Sequence, residues 1–202
     1  MSLLMIDLDG TLREPLSGQR YFQNAQDQQM IAGADLALRA YQDGWIIVGI
    51  TNQGGVAAGH KTMQRCIEEQ QYTLQLVPQL KEIYFCPDFD GRKCFRVTRH
   101  NAYNHSQTQW FKQYRKPQPG MLKLAMVRHN HPPEDCLYIG DRPEDEEAAR
   151  RAGVAFEWAE DWITRHQTTT YTCEELIMTN TKDRRDDDDN QGQQQDDDLE
   201  QD

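Results

Sequence analysis

Apolar residues in this chain fall into short, dense runs. Residues 2–8, 45–50, 82–86, 136–140 and 154–158 are such runs, β-branched or aromatic in character and bounded by turn-forming residues. This is the pattern of buried strands. Between them the apolar positions adopt helical spacing. One helix is expected over 34–42, stopped by Gly44, and a second over 61–77 with a stripe of Met63, Ile67, Leu74 and Leu76. A third should begin at Pro119 and continue through Met121, Leu122, Leu124 and Ala125. A fourth should run from Pro143 to Ala152 and stop at Gly153. Residues 13–33 are polar, punctuated by Pro15 and Gly18, and read as a loop too short to be a separate lid domain. A last helix is expected near 173–179. Strands alternating with helices predict an α/β fold with a parallel sheet of about five strands.

The ends of these strands carry the chemistry. The first run closes in Asp7 and Asp9, followed by Gly10 and Thr11. Two carboxylates this close repel unless a cation or a reaction accounts for them; the plain alternative is a polar turn. The second run ends in Thr51-Asn52-Gln53-Gly54-Gly55, a set of donors suited to an anion or, equally, an ordinary strand-to-helix turn. Lys116 stands just before the Pro119 helix, and the 136–140 run ends in Asp141-Arg142-Pro143-Glu144-Asp145. In an open parallel sheet the strand ends share one edge, where ligands bind. Converging there, the carboxylates would suit Mg²⁺ and the lysine with Thr51 and Asn52 would suit a phosphate.

Charge divides the chain. Its formal charge is −11, but the last twenty residues hold ten Asp or Glu against two Arg. Residues 183–202 therefore read as a disordered acidic tail behind a single domain over 1–180. By contrast, 91–133 contains no acid and nine Lys or Arg, interleaved with Phe95, Tyr103, Trp110, Phe111 and Tyr114. Such a segment suits phosphate contact and base stacking, or is a solvated loop. Five cysteines at irregular spacing argue against a disulfide scaffold and for a reducing cytoplasm. No run reaches membrane-spanning length, and no signal peptide is evident.

DLDGT, TNQGG, KPQPGM and GDRPED, in this order, resemble the four motifs of the haloacid dehalogenase (HAD) superfamily of phosphatases. The resemblance spans about residues 3–162. It implies a three-layer Rossmann-like core without a large cap domain. It implies Asp7 as nucleophile through an aspartyl-phosphate and Asp9 as acid and base. It also implies Thr51, Asn52 and Lys116 as phosphate contacts, and Mg²⁺ held by Asp7, the Asp9 carbonyl and Asp141. Gly10, Arg142 and Asp145 would support them. Within the superfamily, the motifs resemble the branch of histidinol-phosphate, heptose bisphosphate and polynucleotide 3′-phosphatases. Some members carry a zinc loop before the KP motif. Here Asp88 stands where a His is expected and no Cys-x-Cys follows, so zinc is not expected at Cys86 and Cys94. The leading expectation is a Mg²⁺-dependent phosphatase of nucleic-acid 3′ ends, with segment 91–116 holding the strand. A small sugar or histidinol phosphate is the alternative substrate, and a non-catalytic phosphate-end binding module the third reading.

Overall fold

The computed structural model describes residues 1–167. Its centre is β1 (Ser2–Asp7), every residue of which is buried after the first. β1 pairs in parallel with β4 (Trp45–Asn52) on one side and β8 (Cys136–Gly140) on the other. Outside them lie β5 (Leu80–Cys86) and β9 (Ala155–Trp158), also parallel. These are the five expected strands. The four inner ones read as unbroken apolar runs because a central parallel strand buries both of its faces, whereas β9 lies at the sheet edge and is only partly buried.

The sheet is larger than expected. Residues 91–116 are not simply a loop: β6 (Phe95–Val97) and β7 (Ala102–Asn104) add antiparallel to β5, giving the order β7-β6-β5-β4-β1-β8-β9. Residues 13–33 likewise contain a two-rung ribbon, β2 (Arg13–Glu14) with β3 (Gln29–Met30). No large cap follows Thr11.

Alternation along the strands sorts the core into two layers. Leu3, Met5, Val48, Ile50, Tyr84 and Tyr138 face α3 (Gly120–His129) and α4 (Pro143–Ala152). Leu4, Ile6, Ile47, Ile83 and Ile139 face α1 (Ala34–Arg39), α2 (Met63–Leu76) and Trp162 in the helical residues 159–167. Helix α1 is shorter than the expected 34–42: it ends at Arg39, and a turn follows in which the Tyr41 N–H donates to the Leu38 carbonyl. Helix α2 starts at an N-cap, where the Thr62 hydroxyl accepts the Arg65 N–H. The 173–179 helix and the acidic tail lie outside the described residues. Among the described residues, no helix is long and apolar enough to cross a membrane.

Candidate active site

The ends of β1, β4 and β8 converge on one edge of the sheet. Lys116 reaches them from the loop ahead of α3, and its ammonium is enclosed. Nζ lies 2.5 Å from Asp7 Oδ1, 2.5 Å from Asp145 Oδ1 and 3.1 Å from the Tyr138 hydroxyl. All four side chains are buried. Burial opposes the Lys116 charge, but the Asp7 and Asp145 carboxylates outweigh it and raise its pKa. Burial also pushes the Asp7 carboxyl up, against the pull of Lys116, and the Asp145 and Asp9 charges add to that push.

Asp141 completes the carboxylate group. One oxygen from each of Asp7, Asp141 and Asp145 lies within 4.8 Å of the others. Among these, Asp145 is already engaged: Oδ1 accepts from Lys116 and the Tyr138 hydroxyl, and Oδ2 accepts the Arg142 N–H at 3.2 Å. It fixes Lys116 and the start of α4. The exposed Arg142 side chain lies 3.7 Å from Asp141. The buried Thr11 hydroxyl lies between the other two carboxylates, 3.2 Å from Asp141 Oδ1 and 3.5 Å from Asp7 Oδ2. Gly10 has φ +96°, and a Cβ there would lie 2.4 Å from Asp141 Oδ2, so only glycine lets Asp141 approach. Hard carboxylate oxygens gathered this closely fit a divalent cation such as Mg²⁺, with Asp7 and Asp141 as the side chains to hold it.

Asp9 is turned into a different set of partners. Oδ1 accepts from Arg13 Nε at 2.8 Å; Oδ2 accepts from Gln53 Nε2 at 2.7 Å and the Thr51 hydroxyl at 3.2 Å. Burial pushes this carboxyl up, but the Arg13 guanidinium, then Lys61 and the Gln53 amide, outweigh it and hold its pKa below the usual range. Lys61 in turn bonds Gln53 at 2.7 Å and pairs with Glu69.

Besides Lys116, the other two residues expected to contact phosphate, Thr51 and Asn52, are therefore engaged within the protein. The Thr51 hydroxyl serves Asp9. The Asn52 side chain bonds the backbone of Lys116, donating to its carbonyl and accepting its N–H, each at 3.1 Å. Arg13 and Tyr138 were not singled out by the sequence, and Thr11 and Gln53 were given no role of their own within DLDGT and TNQGG. Alternation within CLYIG could have found Tyr138, which shares a face with Gly140 two residues on.

Segment 91–116 is not a free cationic stripe. Arg92 pairs with Asp90, Arg96 with the buried Glu82 and the Tyr103 ring, and Arg99 with the Pro78 and Leu80 carbonyls. Arg115 stacks on Phe89, and Lys116 belongs to the site. Lys93 and Lys112 are exposed. The Cys86 and Cys94 thiols are buried, and burial pushes Cys86 up to about 12 and Cys94 well above its usual value. Both Asp88 oxygens accept backbone N–H groups, from Arg92 and Lys93 at 2.9 Å each.

Fold and site together define a phosphatase of the HAD superfamily. The chain belongs to the family described as Polynucleotide kinase 3 phosphatase, whose model matches residues 2–190. It is also similar to heptose-1,7-bisphosphate 7-phosphatases. That of Chlorobaculum tepidum is 31% identical over 158 residues, covering 75% of each chain. That of Haemophilus ducreyi is 32% identical over 160 residues, covering 75% of this chain and 78% of that one. Among solved structures, the D,D-heptose 1,7-bisphosphate phosphatase of B. bronchiseptica, complexed with magnesium and phosphate, superposes with a TM-score of 0.60. It is 23% identical and covers 77% of this chain and 79% of that one.

Proposed function

We propose that this phosphatase hydrolyses a small sugar phosphate, with Asp7 as nucleophile, Asp9 as acid and base, and Mg²⁺ as cofactor. The observation that carries the chemistry is the Lys116 ammonium held between Asp7 and Asp145, with Asp141 beside them and Asp9 held apart by Arg13. An Asp7 oxygen bonds to phosphorus as the bond to the leaving oxygen breaks, and Asp9 supplies the proton for that oxygen. Water then attacks phosphorus, its proton passes to Asp9, and the bond to Asp7 breaks. Lys116 offsets charge on the phosphoryl group throughout. A bound Mg²⁺, held by Asp7 and Asp141, would supply further charge neutralisation there.

The substrate class departs from the leading expectation of nucleic-acid 3′ ends. The heptose bisphosphate phosphatases among the relatives support a sugar phosphate, and the internal pairing of the 91–116 cations removes the main argument for a bound strand. Arg115 adds support for a second anionic group on the substrate. Its Nη1 is buried without a hydrogen-bond partner among the described residues, and it lies against Gly54 at the end of β4. The test is turnover, with Mg²⁺, of heptose bisphosphate, sugar monophosphates, histidinol phosphate and a 3′-phosphorylated oligonucleotide. Fastest turnover of a sugar bisphosphate is expected. Preference for the oligonucleotide would overturn the substrate and restore the reading that the family description carries.

A further inference from the structure

The first of the polar loop residues, Arg13, is one of the largest fully buried side chains in the protein. Every nitrogen of its guanidinium has a partner. Nε donates to Asp9 at 2.8 Å, Nη2 to Gln70 Oε1 at 3.0 Å, and Nη1 to Gln28 Oε1 at 3.1 Å and to the Thr73 hydroxyl. The Phe22 ring covers it, 5.0 Å from Cζ. Gln70 and Thr73 lie on α2, and Gln28 and Phe22 on the polar segment that follows Thr11. Gln28 is itself tied to α2, donating to the Glu69 carbonyl at 3.0 Å. One planar group therefore joins α2, this segment and a carboxylate of the site.

We infer that Arg13 is a positioning residue for the reaction: it sets the Asp9 carboxylate in the orientation from which Asp9 takes the proton of the attacking water. The inference rests on the roles given above to Asp7 and Asp9. The geometry makes it specific. Asp9 is the most exposed member of its own hydrogen-bonded group, 39% by side chain, whereas Arg13 beneath it is fully buried. A carboxylate at the end of a short turn has free rotation about its own bonds. Here one oxygen is taken by a guanidinium that cannot move without α2, and the other by Gln53 and Thr51. With its two Nη atoms held by Gln28, Thr73 and Gln70, the planar guanidinium fixes the direction of its single Nε–H bond to Asp9, which an ammonium free to turn about its stem cannot do. Arg13 touches no reacting atom in this arrangement and acts through Asp9.

The test uses the full chain with Mg²⁺ and two variants, Arg13→Lys and Gln70→Ala. The second leaves both Arg13 and Asp9 in place but removes the acceptor that orients the fork. The substrate is an aryl phosphate, whose leaving oxygen needs no proton, followed by rapid mixing. The first equivalent of phenol is expected at close to the wild-type rate. Later turnovers are expected to slow about tenfold or more, with phosphorylated enzyme accumulating and KM not raised. A purely structural role would slow the burst and later turnovers together, or raise KM, and either result overturns the inference. Should Arg13→Lys fail to fold, Gln70→Ala decides, and wild-type turnover in that variant overturns it. Wild-type protein inert toward the aryl phosphate would sink the proposed function itself. Active wild type with unaltered variants sinks only the role of Arg13.

Discussion

The Asn52 side chain holds the backbone of Lys116 at both of its polar groups, donating to the carbonyl and accepting the N–H at 3.1 Å each. This pairing joins the end of β4 to the loop ahead of α3, and it places the ammonium between Asp7 and Asp145. An amide matches a peptide group in this way because it has one donor and one acceptor side by side. Asn52→Asp keeps the acceptor and loses the donor, and Asn52→Leu loses both. Displacement of a catalytic group by about 1 Å can cost about a hundredfold in rate. We expect kcat to fall in the order wild type, Asn52→Asp, Asn52→Leu, with the last down about a hundredfold. Steady-state kinetics on the preferred phosphate ester check it; a change in KM alone would return Asn52 to the role of a phosphate contact.

The carboxylates make a second prediction, about metal. Asp7 and Asp141 are close enough to raise one another's energy when both are ionised, and Lys116 faces only Asp7. A cation that binds the folded state alone raises its stability by about 2.7 kcal/mol at a hundred times its dissociation constant. Mg²⁺ is therefore expected to raise the melting temperature of the wild type, and chelation to abolish activity. Asp141→Asn should lose most of that Mg²⁺-dependent rise. Thermal unfolding with and without Mg²⁺ measures it. An equal rise in the variant would remove Asp141 from the site.

How much of this was legible in the sequence depends on the range of the interactions concerned. The central strands were, because burial on both faces writes a continuous apolar run. The meeting of the DLDGT, TNQGG and GDRPED motifs was, because the parallel sheet brings the ends of β1, β4 and β8 to one edge. The hairpin of β6 and β7 was not: its strands have three residues each and carry Arg96 and Tyr103, whose partners are Glu82 and each other. Arg13 was missed for the same reason. A charged residue entering a polar loop reads as exposed, and its burial is decided by Gln70 and Thr73, 57 and 60 positions away. Thr51 and Asn52 stand at the end of β4, but their immediate partners, Asp9 and the Lys116 backbone, were invisible without the neighbouring loops.

Tyr138 yields a third prediction. Its hydroxyl donates to Asp145 at 2.7 Å and accepts from Lys116 at 3.1 Å, inside a fully buried group. Burial, then the Asp145 and Asp7 charges, push its pKa well above the usual value, so it remains a neutral donor. Tyr138→Phe removes one partner from each of two charged groups without changing the packing of the ring. The loss should be about 1.5–3 kcal/mol in stability, the range for hydrogen bonds to charges. Activity should fall about tenfold as Lys116 gains freedom. Denaturant unfolding and kcat are the two readouts, and wild-type values in both would show that Asp7 and Asp145 hold Lys116 unaided.

The last prediction concerns pH and a carboxylate far from the chemistry. Glu82 on β5 is buried, and it accepts from Arg96 at 2.7 Å, Arg128 at 3.1 Å and Tyr84, with His129 Nε2 at 3.0 Å. These groups tie the β6–β7 hairpin to the end of α3. Burial alone would raise the Glu82 pKa, but the hydrogen bonds from His129, Tyr84 and Arg96 outweigh it and hold it far below the ordinary carboxylate value. A carboxyl whose pKa is lower folded than unfolded binds fewer protons when folded. Its contribution to stability is therefore complete above the unfolded value and is lost as pH falls toward the folded one. Glu82→Gln leaves Arg96 and Arg128 without a counter-charge, and breaking a buried pair from one side costs about 3–5 kcal/mol. We expect the variant to be less stable by roughly that amount at pH 7. The difference from wild type should shrink as pH falls below the usual carboxylate range, because the wild type then loses the same interaction. Denaturant titrations of both proteins across that range measure the gap, and a gap constant with pH would mean that the Glu82 pKa is the same in the folded and unfolded protein.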